Sequence, residues 1–91
     1  MIRERDIVKV LYNKVLRLGG EVRKLKWIGR SNAPDLLVML NGCVFVECKA
    51  PGKKPRVGQL REHTRMRALG LRVEVVSTFD EVSALVESLA D

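Results

Sequence analysis

The chain has 91 residues, 46% of them hydrophobic, and its 17 Lys and Arg outweigh 11 Asp and Glu to give a net charge of +6. That length suits one domain over residues 1–91 with an adequate but thin core, and the composition excludes a disordered or low-complexity chain. The longest apolar run, Leu36 to Leu40, is too short to cross a bilayer, and Met1-Ile2-Arg3-Glu4-Arg5-Asp6 opens straight into a charged helical pattern with no secretory apolar stretch.

From Glu4 to Leu18 the residues Ile7, Val8, Leu11, Val15 and Leu18 recur at helical spacing, and Gly19-Gly20 ends the helix. Glu21 to Ile28 reads as a polar strand and Gly29 to Ala33 as a loop. Asp35 to Leu40 and Cys43 to Lys49 are apolar or β-branched runs on either side of Asn41-Gly42, a strong hairpin signal. Pro51-Gly52 and Pro55 break the chain before a helix over Arg56 to Leu69, closed by Gly70. Leu71 to Val76 is a valine-rich strand. Thr78-Phe79-Asp80-Glu81 is a capping box for a last helix with Val82, Leu85, Val86 and Leu89 on its apolar face. The order α-β-β-β-α-β-α predicts an α/β fold. A hairpin followed by a strand-helix-strand crossover gives a mixed sheet flanked by helices, with the strand after the crossover parallel to the Cys43–Lys49 strand.

Cys43 and Cys48, the only two cysteines, lie five positions apart on one predicted strand and point to opposite faces, so they do not bridge within it. With no CxxC and a single histidine the pattern does not favour zinc, and two free thiols suit the reducing cytoplasm. The basic excess favours a polyanionic partner, nucleic acid before an anionic membrane surface. Its distribution is informative. Arg23, Lys24, Lys26 and Arg30 precede Asp35, while Lys53, Lys54 and Arg56 follow Lys49. Two basic clusters flanking an acidic centre fit a phosphate track, though a solvated basic face would look similar.

Glu47 and Lys49 are two residues apart at the end of an otherwise apolar strand, so both point to the same face. Asp35, directly after Pro34, opens the neighbouring strand. Carboxylates at adjoining strand ends offer hard oxygen ligands for Mg²⁺ or Mn²⁺, and a lysine beside them can orient an attacking water and stabilise charge on a phosphate. The same residues would also serve as an ordinary strand-end ion pair with a turn aspartate beside it.

The order of Pro34-Asp35, an apolar strand, a hairpin, a second apolar strand and Glu47-Cys48-Lys49 resembles the core of the PD-(D/E)xK nucleases. Within that superfamily the chain is most similar to the VRR-NUC, or virus-type replication-repair nuclease, family, over nearly its whole length. Ala50-Pro51-Gly52-Lys53-Lys54-Pro55 resembles the family's following loop, Gln59 matches its glutamine, and Ala68-Leu69-Gly70-Leu71-Arg72-Val73 resembles its helix-to-strand passage. Asn32-Ala33 stands before Pro34 where the family often has glycine.

The resemblance implies a metal-dependent endodeoxyribonuclease with Asp35 and Glu47 as metal ligands, helped by the Cys48 main-chain carbonyl and by Glu4. Lys49 would position the attacking water, with Gln59 in support at the water or a phosphate. It further implies a homodimer acting on branched DNA such as Holliday junctions. The residues themselves add that Glu4 continues the inward stripe of Ile7, Val8 and Leu11, which Asp6 does not. Glu4 can equally be a helix-start carboxylate favoured by the macrodipole. His63, one turn after Gln59, is read as a packing or phosphate-contacting residue before a general base, and Trp27 and Tyr12 as packing or interface residues.

The hairpin sets a condition. A plain two-residue Asn41-Gly42 turn pairs Leu40 with Cys43 and Leu36 with Glu47, which puts Asp35 and Glu47 on opposite faces. A shared site needs the other parity, expected as Leu37 opposite Glu47, through a three-residue loop with Gly42 in the left-handed region or a bulge near Asp35. Two other readings stay open: a non-catalytic nucleic-acid-binding module on the same fold, and a basic interaction protein whose acidic pair is structural.

Overall fold

A computed structural model describes residues 1–90; Asp91 lies outside it. The elements are α1 (Glu4–Arg17), β1 (Glu21–Lys24), β2 (Leu36–Met39), β3 (Cys43–Cys48), α2 (Val57–Ala68), β4 (Val73–Val76) and α3 (Phe79–Leu89). The strands form one sheet in the order β1-β2-β3-β4, antiparallel up to β3 and parallel between β3 and β4. The predicted order and mixed sheet are therefore present. Among the described residues no helix is long and apolar enough to cross a membrane.

Alternation along the strands divides the sheet into two unlike faces. Val22 lies opposite Val38, Val38 opposite Val44, and Leu36 opposite Val46, while Cys48 lies beside Val76. These residues are buried in one apolar cluster with Ile7, Leu11 and Val15 of α1 and Val82, Leu85 and Val86 of α3. Two helices thus cover this face, and each fully buried aliphatic side chain there contributes about 2 kcal/mol of transfer free energy. The other face carries Leu37, Phe45, Glu47 and Val73, and α2 lies against it. The buried residues of α2 are Gln59, Glu62, His63 and Met66, so its inward side is mostly polar.

The element boundaries follow from local hydrogen bonds. Leu18 and Gly19 close α1, and Gly20 passes so near β2 that a Cβ on it would sit 2.6 Å from the Met39 carbonyl oxygen. At the start of α3 the Thr78 hydroxyl accepts the Glu81 N–H at 3.0 Å, whereas the Glu81 carboxylate accepts the N–H of Ser77, one residue further out than the sequence pattern implies, at 2.7 Å. β1 is shorter than the predicted Glu21–Ile28 strand. Leu25 still donates to the Asp35 carbonyl at 2.9 Å, but Trp27 leaves the sheet to donate its indole N–H to Glu62 of α2. β4 begins only at Val73, because Leu71 N–H turns back to the Met66 carbonyl and completes the end of α2.

The β2–β3 hairpin is not a two-residue turn. Met39 pairs with Cys43, leaving Leu40, Asn41 and Gly42 as the loop, with φ of 52° at Asn41 and 115° at Gly42. Leu40 is buried in the core cluster and so is withdrawn from pairing, which starts the loop one residue early. Asn41 Nδ2 anchors the loop to the Leu89 carbonyl at 2.9 Å. The parity is the one a shared site requires, but the register differs by two from the expected one. Leu36 faces Val46, and one step further along the hairpin Asp35, not Leu37, stands opposite Glu47.

Candidate active site

The end of the sheet where β3 finishes and β2 begins gathers the chemically competent residues. Asp35 immediately precedes β2, behind the buried Pro34, and its Oδ2 accepts the Cys48 N–H at 2.9 Å. This bond has a simple origin. Phe45 and Lys49 send their N–H groups to Arg72 and Val76 on the β4 side, so Cys48, out of phase with them, directs its N–H and carbonyl toward β2.

Glu47 is 1% exposed yet is not surrounded by hydrocarbon. Its Oε2 lies 3.3 Å from Gln59 Nε2 and 3.7 Å from Lys49 Nζ, and its Oε1 lies 3.4 Å from His63 Nε2. These separations are long for hydrogen bonds. Gln59 is held at its other end, because its Oε1 accepts the Arg56 N–H at 2.7 Å and caps α2. Its amide is therefore oriented with Nε2 toward Glu47.

Burial pushes the Glu47 carboxyl up to about 8, and the Asp35 carboxylate beside it adds to the shift, while the Lys49 ammonium opposes it. A carboxyl held up by burial beside a second carboxylate marks a place where added positive charge is favoured. Burial also pushes the Cys48 thiol up, to about 12, with Asp35, Glu4 and Glu47 contributing, so this cysteine is an inert packing group.

Whether these residues suit a divalent cation rests on the donor set. Asp35 and Glu47 supply carboxylate oxygens, and the Cys48 carbonyl is directed to the same side as Asp35. Mg²⁺ is commonly held by one or two carboxylates and completed by waters and substrate phosphate, and this set fits that habit. Among the described residues no three His, Cys, Asp or Glu side chains are gathered to hold a metal ion on their own.

Glu4 explains that result. It is exposed rather than pointing into the core. It lines a cleft of about 380 Å³ together with Arg5, Val8, Lys24, Leu25, Asp35 and Leu36, so it faces the site across open space without joining the pair.

The predicted basic track is only partly free. Arg23 is ion-paired with Glu21, and Arg30 donates to the buried Glu62 carboxylate at 2.9 Å. Lys24, Lys26, Lys53, Lys54 and Arg56 are exposed and have no carboxylate partner among the described residues. Both basic loops open beside the site, since one runs from β1 to Asp35 and the other from Lys49 to α2. The first of them also reaches the start of α2, where a Cβ on Gly58 would sit 2.8 Å from Asn32 Nδ2. Glu62 accepts from Trp27, Arg30 and Arg65 and so fastens the first loop to α2. Burial pushes its carboxyl up, but the Arg65 and Trp27 hydrogen bonds and the Arg30 and Arg65 charges together hold it below the usual range.

Asp35, Glu47, Lys49 and Gln59 are thus brought together, with Cys48 contributing main chain and Glu4 standing apart. His63 sits against Glu47 and belongs in the group. The signal available for it was its position one turn after Gln59. Glu62 carried no signal, because its partners Trp27 and Arg30 are remote in sequence.

No protein-family model matches the chain. A solved structure described as a VRR_NUC domain superposes with a TM-score of 0.86 at 44% identity, covering 96% of this chain and 97% of its own. The protein named "Putative nuclease p44" from Acyrthosiphon pisum secondary endosymbiont phage 1 is 49% identical over 87 residues, covering 93% of this chain and 94% of its own length. A hairpin that brings Asp35 opposite Glu47, with Lys49 two residues on, is thus accompanied by close likeness over nearly the full length, and the chain belongs to the VRR-NUC family of PD-(D/E)xK nucleases.

Proposed function

We propose that the protein hydrolyses phosphodiester bonds in DNA, with Mg²⁺ or Mn²⁺ as its cofactor, and that it selects branched substrates by shape. The observation that carries this reading is the placement of Asp35 opposite Glu47 at one end of the sheet, with the Lys49 ammonium 3.7 Å from Glu47.

Asp35, Glu47 and the Cys48 carbonyl would hold the cation, with Glu4, which lines the same cleft as Asp35, as a further carboxylate for it. A divalent cation there supplies Lewis acidity, drawing charge from a phosphoryl oxygen and making water a better nucleophile near neutral pH. Lys49, side chain 13% exposed and fixed by β3, orients the attacking water and stabilises the extra negative charge of the pentavalent transition state. Gln59 keeps the Glu47 carboxylate in place. Lys24, Lys26, Lys53, Lys54 and Arg56 hold the sugar-phosphate backbone, which sets affinity and position but reads no sequence. So small a chain has little surface left for base-edge contacts, which favours recognition of DNA shape. Two copies related by a two-fold axis would present two sites to the two-fold symmetric strands of a four-way junction.

The experiment is cleavage of linear, flap and four-way-junction DNA with Mg²⁺, with Mn²⁺ and with chelator, using wild-type protein and Lys49→Ala. Metal-dependent cutting that favours the junction and is lost in the variant is the expected result. A protein that binds these DNAs but cuts none of them is instead a binding module on a nuclease fold. Equal cutting of all substrates would remove the branched-DNA part of the proposal alone.

A further inference from the structure

His63 is wholly buried, yet it is not part of the apolar cluster beneath α1 and α3. It lies on the other face of the sheet, where its Nε2 is 3.4 Å from Glu47 Oε1 and its Nδ1 has no hydrogen-bond partner among the described residues. A buried ring nitrogen without a partner destabilises the fold, and a leucine or phenylalanine of similar size would avoid that penalty. Packing alone therefore does not account for the residue. The contact made by its other nitrogen does.

Gln59 already occupies the other oxygen of the same carboxylate, and its orientation is settled by the Arg56 N–H on its Oε1. Each oxygen of Glu47 thus faces one side-chain nitrogen of α2, from residues one helical turn apart, while Lys49 approaches Oε2 from β3's own end. We infer that His63 is a positioning residue, which together with Gln59 fixes the rotation of the Glu47 carboxylate so that its free lone pairs face Asp35 and the mouth of the site. The inference rests on the proposed function, since it assigns His63 to the shell behind a metal-holding carboxylate. Residues in such shells orient the ligand, and their loss weakens metal affinity by roughly 10–100-fold.

Three variants test this. Phenylalanine keeps the volume of the ring without a donor, glutamine places an amide nitrogen at about the reach of Nε2, and asparagine falls a bond short of it. Mn²⁺ affinity is measured by calorimetry without DNA, the thermal midpoint by circular dichroism, and kcat and KM on the preferred DNA with Mg²⁺. His63→Phe should bind Mn²⁺ about 10–100-fold more weakly and lose kcat while KM for DNA holds steady. His63→Gln should recover most of both, and His63→Asn should not. If His63→Phe melts differently but binds Mn²⁺ as tightly as wild type, the residue is packing and the inference fails. Should His63→Phe not fold, equal Mn²⁺ affinities for the glutamine and asparagine variants overturn the inference, and a glutamine advantage supports it. Wild-type protein that takes up neither ion would overturn the metal-dependent reading itself, an outcome distinct from a silent His63 series.

Discussion

Asp35 Oδ2 accepts the main-chain N–H of Cys48 at 2.9 Å, so the aspartate at the start of β2 is fastened to the strand that carries Glu47 and Lys49. Local geometry and hairpin register therefore reinforce each other. The carboxyl of Asp35 reaches Cys48 only because the three-residue loop Leu40–Gly42 sets the parity of the β2–β3 pairing.

Deleting Asn41 tests this dependence. A two-residue loop would shift the pairing by one and send Asp35 to the opposite face from Glu47. We expect a protein that keeps helical circular dichroism but loses cleavage by at least ~100-fold, as misplacement of a reacting group by an ångström or more typically does. Retained activity in the deletion variant would mean that the hairpin does not set the geometry of the site.

The raised Glu47 carboxyl makes the metal-free protein sensitive to pH. An acid whose folded value lies above its unfolded 4.5 contributes stability that is complete below 4.5 and is lost as pH rises through about 8. His63 works the other way. Its lowered folded value favours the native state above its unfolded 6.5 and offsets the Glu47 trend below that point. The net fall in stability is thus expected between about pH 6.5 and 8, at up to about 1.4 kcal/mol per pH unit. Thermal melts in chelator across this range should show it, and Glu47→Gln should flatten it. A wild-type curve already flat between these limits would contradict the assignment.

Glu62 is the joint between the first basic loop and α2. Glu62→Ala removes the acceptor of the Trp27 indole and of two arginines, and is expected to cost about 2 kcal/mol in chemical denaturation. Because Trp27 is the only tryptophan, its fluorescence should shift to the red in the same variant as the loop loosens. Unchanged emission would show that the loop is held by other contacts.

The unpaired cations should behave alike in binding. Lys53→Ala and Lys54→Ala are each expected to weaken affinity for all DNA sequences similarly and to reduce the slope of log K against log salt by about 1. Arg23→Ala should change that slope less, since its guanidinium is already engaged by Glu21. Equal slopes for all three variants would place the DNA elsewhere.

The two cysteines should differ in reactivity. Cys43 is exposed, whereas Cys48 is buried with its thiol pushed up to about 12. An aromatic disulfide reagent should titrate one thiol in the native protein and two after unfolding. Two fast thiols in the native state would contradict the burial of β3.

Periodicity made the elements and their order legible, because Ile7-Leu11-Val15 and the alternating valines of β3 each admit one reading. The pair Glu47 and Lys49 was legible for the same reason. The hairpin register was legible only in parity, since nothing local reveals that Leu40 is drawn into the core. Glu4 shares the helical stripe of Ile7, Val8 and Leu11 but is exposed, since a stripe does not tell which of its positions a neighbour covers. The inward side of α2 was the least visible. Gln59, Glu62 and His63 are residues that normally face water, and their burial depends on partners from β3 and from the loop after β1.

That unusual helix has a consequence for how the protein tolerates change. α1 and α3 are attached by interchangeable hydrocarbon, whereas much of what α2 buries is bonded to the very residues proposed to do the chemistry. Substitutions that silence the nuclease from that side should also loosen the helix. Inactive yet rigid variants should therefore be scarce along α2 and commoner at Asp35 or Lys49, which makes those two positions the better choice for trapping an uncleaved DNA complex.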